Sequence, residues 1–211
     1  MKVECYHLTC DEGPDLFAQA KRFLGKRIES VRSRGNGRVL RRPKLALFSS
    51  RKCPGDIILK TFDLAQSLRN QGVTVIGGFH SPMEQECLRI LLRGEQPVII
   101  CPARSIDRMR VRPEWEAPMA EGRLLLLSPF APEKNRVSAE RAQVRNRFVA
   151  AVADAIFIAY AESGGNAEAL AREAVKWNKS LFTFDSPNND RLMKLGFRPV
   201  CPDSFALNGE E

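Results

Sequence analysis

Histidine is scarce in this chain: only His7 and His80 occur among 211 residues. No serine–histidine–aspartate, cysteine–histidine or paired-carboxylate arrangement stands out, so nucleophilic and general acid–base chemistry has no evident carriers. Tyrosine and tryptophan number two each, and aromatic residues make up 8%, which leaves little for a surface that stacks bases on rings. No apolar run approaches the ~18 residues of a membrane span. The opening Met1-Lys2-Val3-Glu4-Cys5-Tyr6-His7 lacks the apolar stretch of a signal peptide. The expectation is a cytoplasmic protein without membrane contact, its six cysteines mostly reduced despite their even number. Neither a Walker loop nor GxGxxG is present. Cys5-x-His7-x-x-Cys10 offers zinc-ligand residue types, but no second pair follows, and on a strand Cys10 points away from the face shared by Cys5 and His7. No metal, no cofactor and no catalytic residue is expected.

What is present is ordinary globular composition, 44% hydrophobic and 27% charged. Positive charge is in excess, net +8, and unevenly placed. Residues 1–110 hold 20 Lys/Arg and 11 Asp/Glu, whereas residues 111–211 hold 13 and 14. Between Lys21 and Lys52 there are twelve basic residues and one acid, Glu29. Such a field fits either a polyanionic partner or a merely solvated surface.

Residues 2–9 alternate weakly, as a short strand would. Asp11 or Asp15 is placed to cap a helix running to about Val31, and the glycines and Asn36 of Arg32–Arg38 read as a loop. Beyond it the pattern is regular. Apolar runs at Leu45–Phe48, Val73–Ile76, Val98–Cys101, Leu124–Leu127, Ala155–Tyr160 and Leu181–Phe184 have the continuous hydrophobicity of buried strands. Helix-like segments lie between them at Ile57–Asn70, Pro82–Arg93, Pro113–Glu121, Ser138–Val152 and Ala167–Trp177. Alternation of this kind predicts an α/β fold: a doubly wound, mostly parallel, Rossmann-like sheet over residues 43–211, with a strand–helix appendage and basic loop at 1–42.

Ligands of such sheets bind where strands end on the carboxyl edge. After the first parallel strand stand Ser50, Arg51 and Lys52, ahead of a glycine turn and a helix N-terminus suited to anions. After the second come Gly77, Gly78, Phe79 and His80, with Ser81 placed to cap the next helix. Paired glycines permit close approach to a ligand, and Phe79 is the one aromatic placed to stack there. Arg104, Arg108, Arg110 and Arg112 crowd the third loop. Arg145, Asn146 and Arg147 lie on a later helix, where guanidinium forks match phosphate oxygens. Ser163, Gly164 and Gly165 form another small-residue turn before a helix. Each has a plain structural reading too, as a turn, a cap or a solvated face.

Together these segments resemble a known family. Ser50-Arg51 resembles the Gly-Ser-Arg, and Gly77–Glu84 the Ser-Gly-x-Ala-x-Gly-Ile-Asp, of the DprA (Smf, DNA-processing protein A) family. Ile106-Asp107-Arg108 resembles its Leu-Asp-Arg. Arg145-Asn146-Arg147-Phe148-Val149-Ala150-Ala151 closely resembles its Arg-Asn-Arg-Ile-Ile-Ala-Gly. Ser163-Gly164-Gly165 stands where it has Ser-Gly-Ser or Ser-Gly-Thr. The wider superfamily includes the LOG-type nucleotide hydrolases. The resemblance implies a Rossmann-like domain that binds single-stranded DNA in a basic pocket, serves DNA uptake and recombination, dimerises and hands strands to the RecA recombinase. Pro82, Glu84 and His80 depart from the pattern, as does the short N-terminal appendage, and no C-terminal winged helix follows. The leading expectation is non-catalytic binding of single-stranded DNA or nucleotide phosphates. The alternatives are LOG-like hydrolysis of a nucleoside monophosphate's glycosidic bond and a small-nucleotide sensor. The LOG Pro-Gly-Gly-x-Gly-Thr-x-x-Glu corresponds to a turn that here reads Ser163-Gly-Gly-Asn-Ala-Glu168, with the acid displaced.

Overall fold

The computed structural model describes residues 5–8, 14–25, 31–205 and 207. A short strand β1 (Cys5–Leu8) and helix α1 (Pro14–Leu24) precede strand β2 (Val31–Gly35). Then follow β3 (Lys44–Phe48), α2 (Gly55–Leu68), β4 (Thr74–Gly77), α3 (Pro82–Leu91), β5 (Val98–Ile100), α4 (Pro113–Ala120) and β6 (Leu124–Ser128). The chain continues through α5 (Ala139–Val152), β7 (Ala155–Ile158), α6 (Asn166–Ala174), β8 (Ser180–Phe184), α7 (Asp190–Lys194) and β9 (Arg198–Val200).

The nine strands of the described residues join one sheet, in the order β1-β2-β6-β5-β4-β3-β7-β8-β9. From β6 to β9 neighbours run parallel, while β1 and β2 pair antiparallel, β2 against β6. The apolar runs read from the sequence are the parallel strands β3 to β8, largely buried as helix-covered sheets require; the short, largely exposed β9 was not among them. One hydrophobic cluster packs α1, α5 and α6 on one face, around Phe148, Ile156 and Trp177. The other packs α2, α3 and α4, around Leu64, Phe157 and Trp115.

The N-terminal region departs from expectation in two places. The helix does not reach Val31: it stops at Leu24 because Gly25 takes a left-handed conformation (φ 64°) and donates its N–H back to Lys21 O at 3.1 Å. The expected loop at 32–38 is instead strand β2, followed by a 3-10 turn (Gly37–Arg41). Gly35, one of the glycines that suggested a loop, lies so close to β6 that a Cβ there would sit 2.5 Å from Leu124 O. Cys10 lies outside the described residues.

Candidate functional site

Strands β4, β5 and β6 lie to one side of β3, and β7 to the other. The winding therefore reverses between β3 and β7, and the loops that leave these strands splay apart to open a crevice. That crevice, about 290 Å³, is lined by Ser50, Arg51, His80, Arg145, Asn146, Glu162 and Gly165 among others. A second one, about 260 Å³, lies beside it between the β4 and β5 loops, where Gly78, Phe79, Arg104, Arg110, Arg112 and Trp115 face it. His80, Ala142 and Arg145 border both.

Glu84 organises the β3 and β4 loops. Its carboxylate, buried at the start of α3, accepts the N–H groups of Ser49 (3.1 Å), His80 (2.8 Å) and Ser81 (3.3 Å). Ser81 Oγ in turn accepts the Glu84 N–H, completing a capping box. Burial pushes the Glu84 carboxyl above its usual range, against the pull of those N–H groups and of nearby Arg145. Arg145 is buried too, donating through Nη1 to Cys101 O at 2.8 Å and through Nε to Asn146 Oδ1 at 2.6 Å.

The third small-residue turn is filled in the same way. Glu168 accepts the Gly164 N–H at 2.7 Å and pairs with Arg172, contacts that hold its carboxyl below the usual range. Gly165 donates to Glu162 O, Ser50 donates its backbone N–H to Tyr160 O, and Ser50 Oγ accepts the Glu162 N–H. The turns expected to offer N–H groups to an anion thus spend several of them on the protein's own carboxylates and carbonyls. What remains directed at the crevices is side-chain charge, carried by Arg51, Arg104, Arg110 and Arg112.

Phe79 also differs from expectation. It is a non-glycine residue with positive φ (47°), and its ring turns back under the loop to lie 6% exposed in the core. It forms the floor of the second crevice and presents no free face for stacking. Such a strained backbone in an aromatic residue is characteristic of functional loops. Arg147 faces away from both crevices and grips Glu173 of α6 with a fork, Nε at 2.9 Å and Nη2 at 2.6 Å. Lys52 and Arg108 are exposed but are not among the residues lining either crevice, Gly77 ends β4 inside the sheet, and Ser163 and Gly164 are exposed on their turn.

The 101–112 loop is braced from outside the parallel sheet. Arg32 of β2 forms an ion pair with Asp107 at 2.8 Å and also contacts His7, and Arg34 donates to Met109 O at 3.0 Å. Asp107 accepts from Ser105 Oγ as well. Arg112 stacks over the Trp115 ring at 4.9 Å. Sequence reasoning missed Glu84, Trp115 and this brace; only the Ser81-x-x-Glu84 spacing carried a readable signal.

A family model, DNA recombination-mediator protein A, matches residues 27–197. The chain belongs to this family. Two solved DprA structures share its fold. The Streptococcus pneumoniae protein superposes with a TM-score of 0.76 at 15% identity, over 96% of this chain and 72% of its own. The Helicobacter pylori protein gives 0.75 at 20% identity, over 93% and 91%. That structure is described as showing a single-stranded DNA binding mode of the Helicobacter protein. No curated protein gives a match. Among the described residues of this DprA-family chain, no helix is long and apolar enough to cross a membrane.

Proposed function

We propose that the chain binds single-stranded DNA by its phosphate backbone along the two carboxyl-edge crevices, without catalysis, as a DNA-processing and recombination module. The observation that carries this reading is the division of labour at the crevices. Several of their loop N–H groups are occupied by Glu84, Glu168 and backbone carbonyls, while exposed guanidinium groups line them. Guanidinium charge of this kind suits a polyanion held by its backbone. Arg51 and Lys52 serve the β3–β7 side, and Arg104, Arg108, Arg110 and Arg112 the other, with His80 and Arg145 between. Family membership and the DNA-binding description of the Helicobacter protein support the choice of ligand. A homodimer that hands strands to a recombinase in a reducing cytoplasm completes the proposal.

Fluorescence anisotropy with a labelled oligonucleotide tests it. Affinity should be largely independent of base sequence and fall steeply with salt; neutralising about four phosphates gives a slope of log K against log salt near −3. Arg104→Glu/Arg112→Glu should abolish most of the binding without changing the fold. Undetectable binding at low salt, or free base released from nucleoside monophosphates, would replace this reading with a small-nucleotide sensor or a hydrolase.

A further inference from the structure

The basic run of Lys21–Lys52 is only partly used at the carboxyl edge. Arg51 and Lys52 stand there, and Arg32 and Arg34 are engaged with the 101–112 loop. Arg38, Arg41 and Arg42 lie at the opposite end of the sheet, on and just after the 3-10 turn that leads into β3. All three are exposed, and none of their side chains has an ion pair or hydrogen bond among the described residues.

The turn that carries them is held rigidly. Lys44, buried at the first position of β3, donates from Nζ to Leu40 O (3.2 Å) and Arg42 O (3.0 Å) and pairs with Asp154 (3.0 Å). Asp154 also accepts the Lys44 N–H at 2.7 Å, so its charge is already matched. Lys179 adds positive charge next to it, its ammonium resting on the carbonyls of Ala150, Ala151 and Ala153. A cleft of about 590 Å³ opens here, lined by Arg41, Arg42 and Lys44, with Asp15 its second carboxylate.

We propose that this amino edge is a second contact surface for a nucleic-acid phosphate backbone, with Arg38, Arg41 and Arg42 as its contacts. The inference rests on nucleic acid being the ligand of the crevices. Unpaired guanidinium groups on one fixed turn match successive phosphates, as a point-charge lysine surface does not. The five residues of β3 separate the two edges by roughly 16 Å in a straight line, and a strand must also go up and over a helix layer about 10 Å thick, a path longer than the roughly 20 Å that six stacked nucleotides cover. A strand of sufficient length therefore reaches both, and a short one only the crevices.

The test compares labelled oligonucleotides of about 6 and about 30 nucleotides on the full chain, the variant Arg38→Glu/Arg41→Glu/Arg42→Glu, and a control reversal, Lys176→Glu/Lys194→Glu/Arg198→Glu. In the first variant the short probe should bind as before. The long probe should bind about tenfold or more weakly, with a salt slope shallower by about 2. The control should change neither. Unchanged long-probe binding, or an equal loss in the control, overturns the proposal. So does loss of polyglutamate binding in the variant with long-probe binding retained, which would assign the surface to an acidic protein. Adding unlabelled short oligonucleotide in excess distinguishes one strand reaching both edges from a second strand bound alone. The crevice reading fails separately, if Arg104→Glu/Arg112→Glu leaves short-probe binding intact. A wild-type chain that binds neither probe overturns both.

Discussion

The guanidinium of Arg145 fills the space that any side chain at residue 78 would need: a Cβ built on Gly78 falls 1.7 Å from Arg145 Nη1. The second glycine of the pair is thus required by a buried arginine of α5, whatever approaches from solvent. Gly78→Ala should push Arg145 off Cys101 O and away from Glu84, leaving buried charge poorly compensated. The expected loss is about 3–5 kcal/mol of unfolding free energy, the range for breaking a buried ionic contact, read from urea denaturation monitored by circular dichroism.

Arg145 and Arg147 should behave as opposites although they stand two residues apart. Arg145→Ala removes the donor to Cys101 O and the cation nearest Glu84 and should lower the melting temperature markedly. Arg147→Ala removes a half-exposed pair with Glu173, a contact of about 0.5–1 kcal/mol once solvent screening is counted. DNA affinity, measured by anisotropy, should be unchanged in the Arg147 variant.

Arg51 should matter for binding alone. It is exposed on its loop, so Arg51→Glu should leave melting unchanged while weakening oligonucleotide binding by about 2–4 kcal/mol through loss of a charge-assisted contact and added repulsion. Titration at two salt concentrations checks both the loss and its electrostatic origin.

The brace predicts an effect at a distance. Arg32 is a positioning residue whose pair with Asp107 holds the loop bearing Arg104 and Arg108. Arg32→Ala should weaken binding, and Arg32→Lys should recover only part of it, because a single ammonium cannot reach Asp107 and His7 together. Faster proteolysis within residues 101–112 in Arg32→Ala would separate loss of loop order from simple loss of charge.

Alkaline pH should destabilise the fold through two core thiols. Burial pushes Cys87 and Cys101 from 9.0 up to about 12 each. Between pH 9 and 12 the unfolded chain has released these protons and the folded chain retains them. Stability therefore falls as pH rises through that window, by up to about 1.4 kcal/mol per pH unit for each thiol. Cys87→Ala/Cys101→Ala should flatten this limb of a stability-against-pH curve.

The parallel strands β3 to β8 were legible because each carries a run of apolar residues, such as Leu124–Leu127; β9 was not, because Arg198-Pro199-Val200 is short and largely exposed. β2 was not, because Arg32 and Arg34 find partners on a loop about 75 residues away, and a polar strand sustained by long-range pairing looks like a loop in sequence. At the site, the sequence located the carboxyl-edge turns and their arginines, but not how their N–H groups are used. Glu84 reaches Ser49 across 35 positions, and no local pattern encodes that contact. Phe79 misled for a similar reason: its left-handed backbone decides which way the ring points, and single-residue propensity disfavours that conformation.

The last strand has a consequence of its own. β9 has three residues, and its middle one, Pro199, lies in register with Thr183. A proline lacks an N–H, and so short an outer strand offers a newcomer few backbone groups to bind. Continuous sheets across two molecules, and the fibrous aggregates that grow from such joins, are disfavoured on this flank. Self-association there must be built from side-chain surfaces, which single substitutions can dissolve.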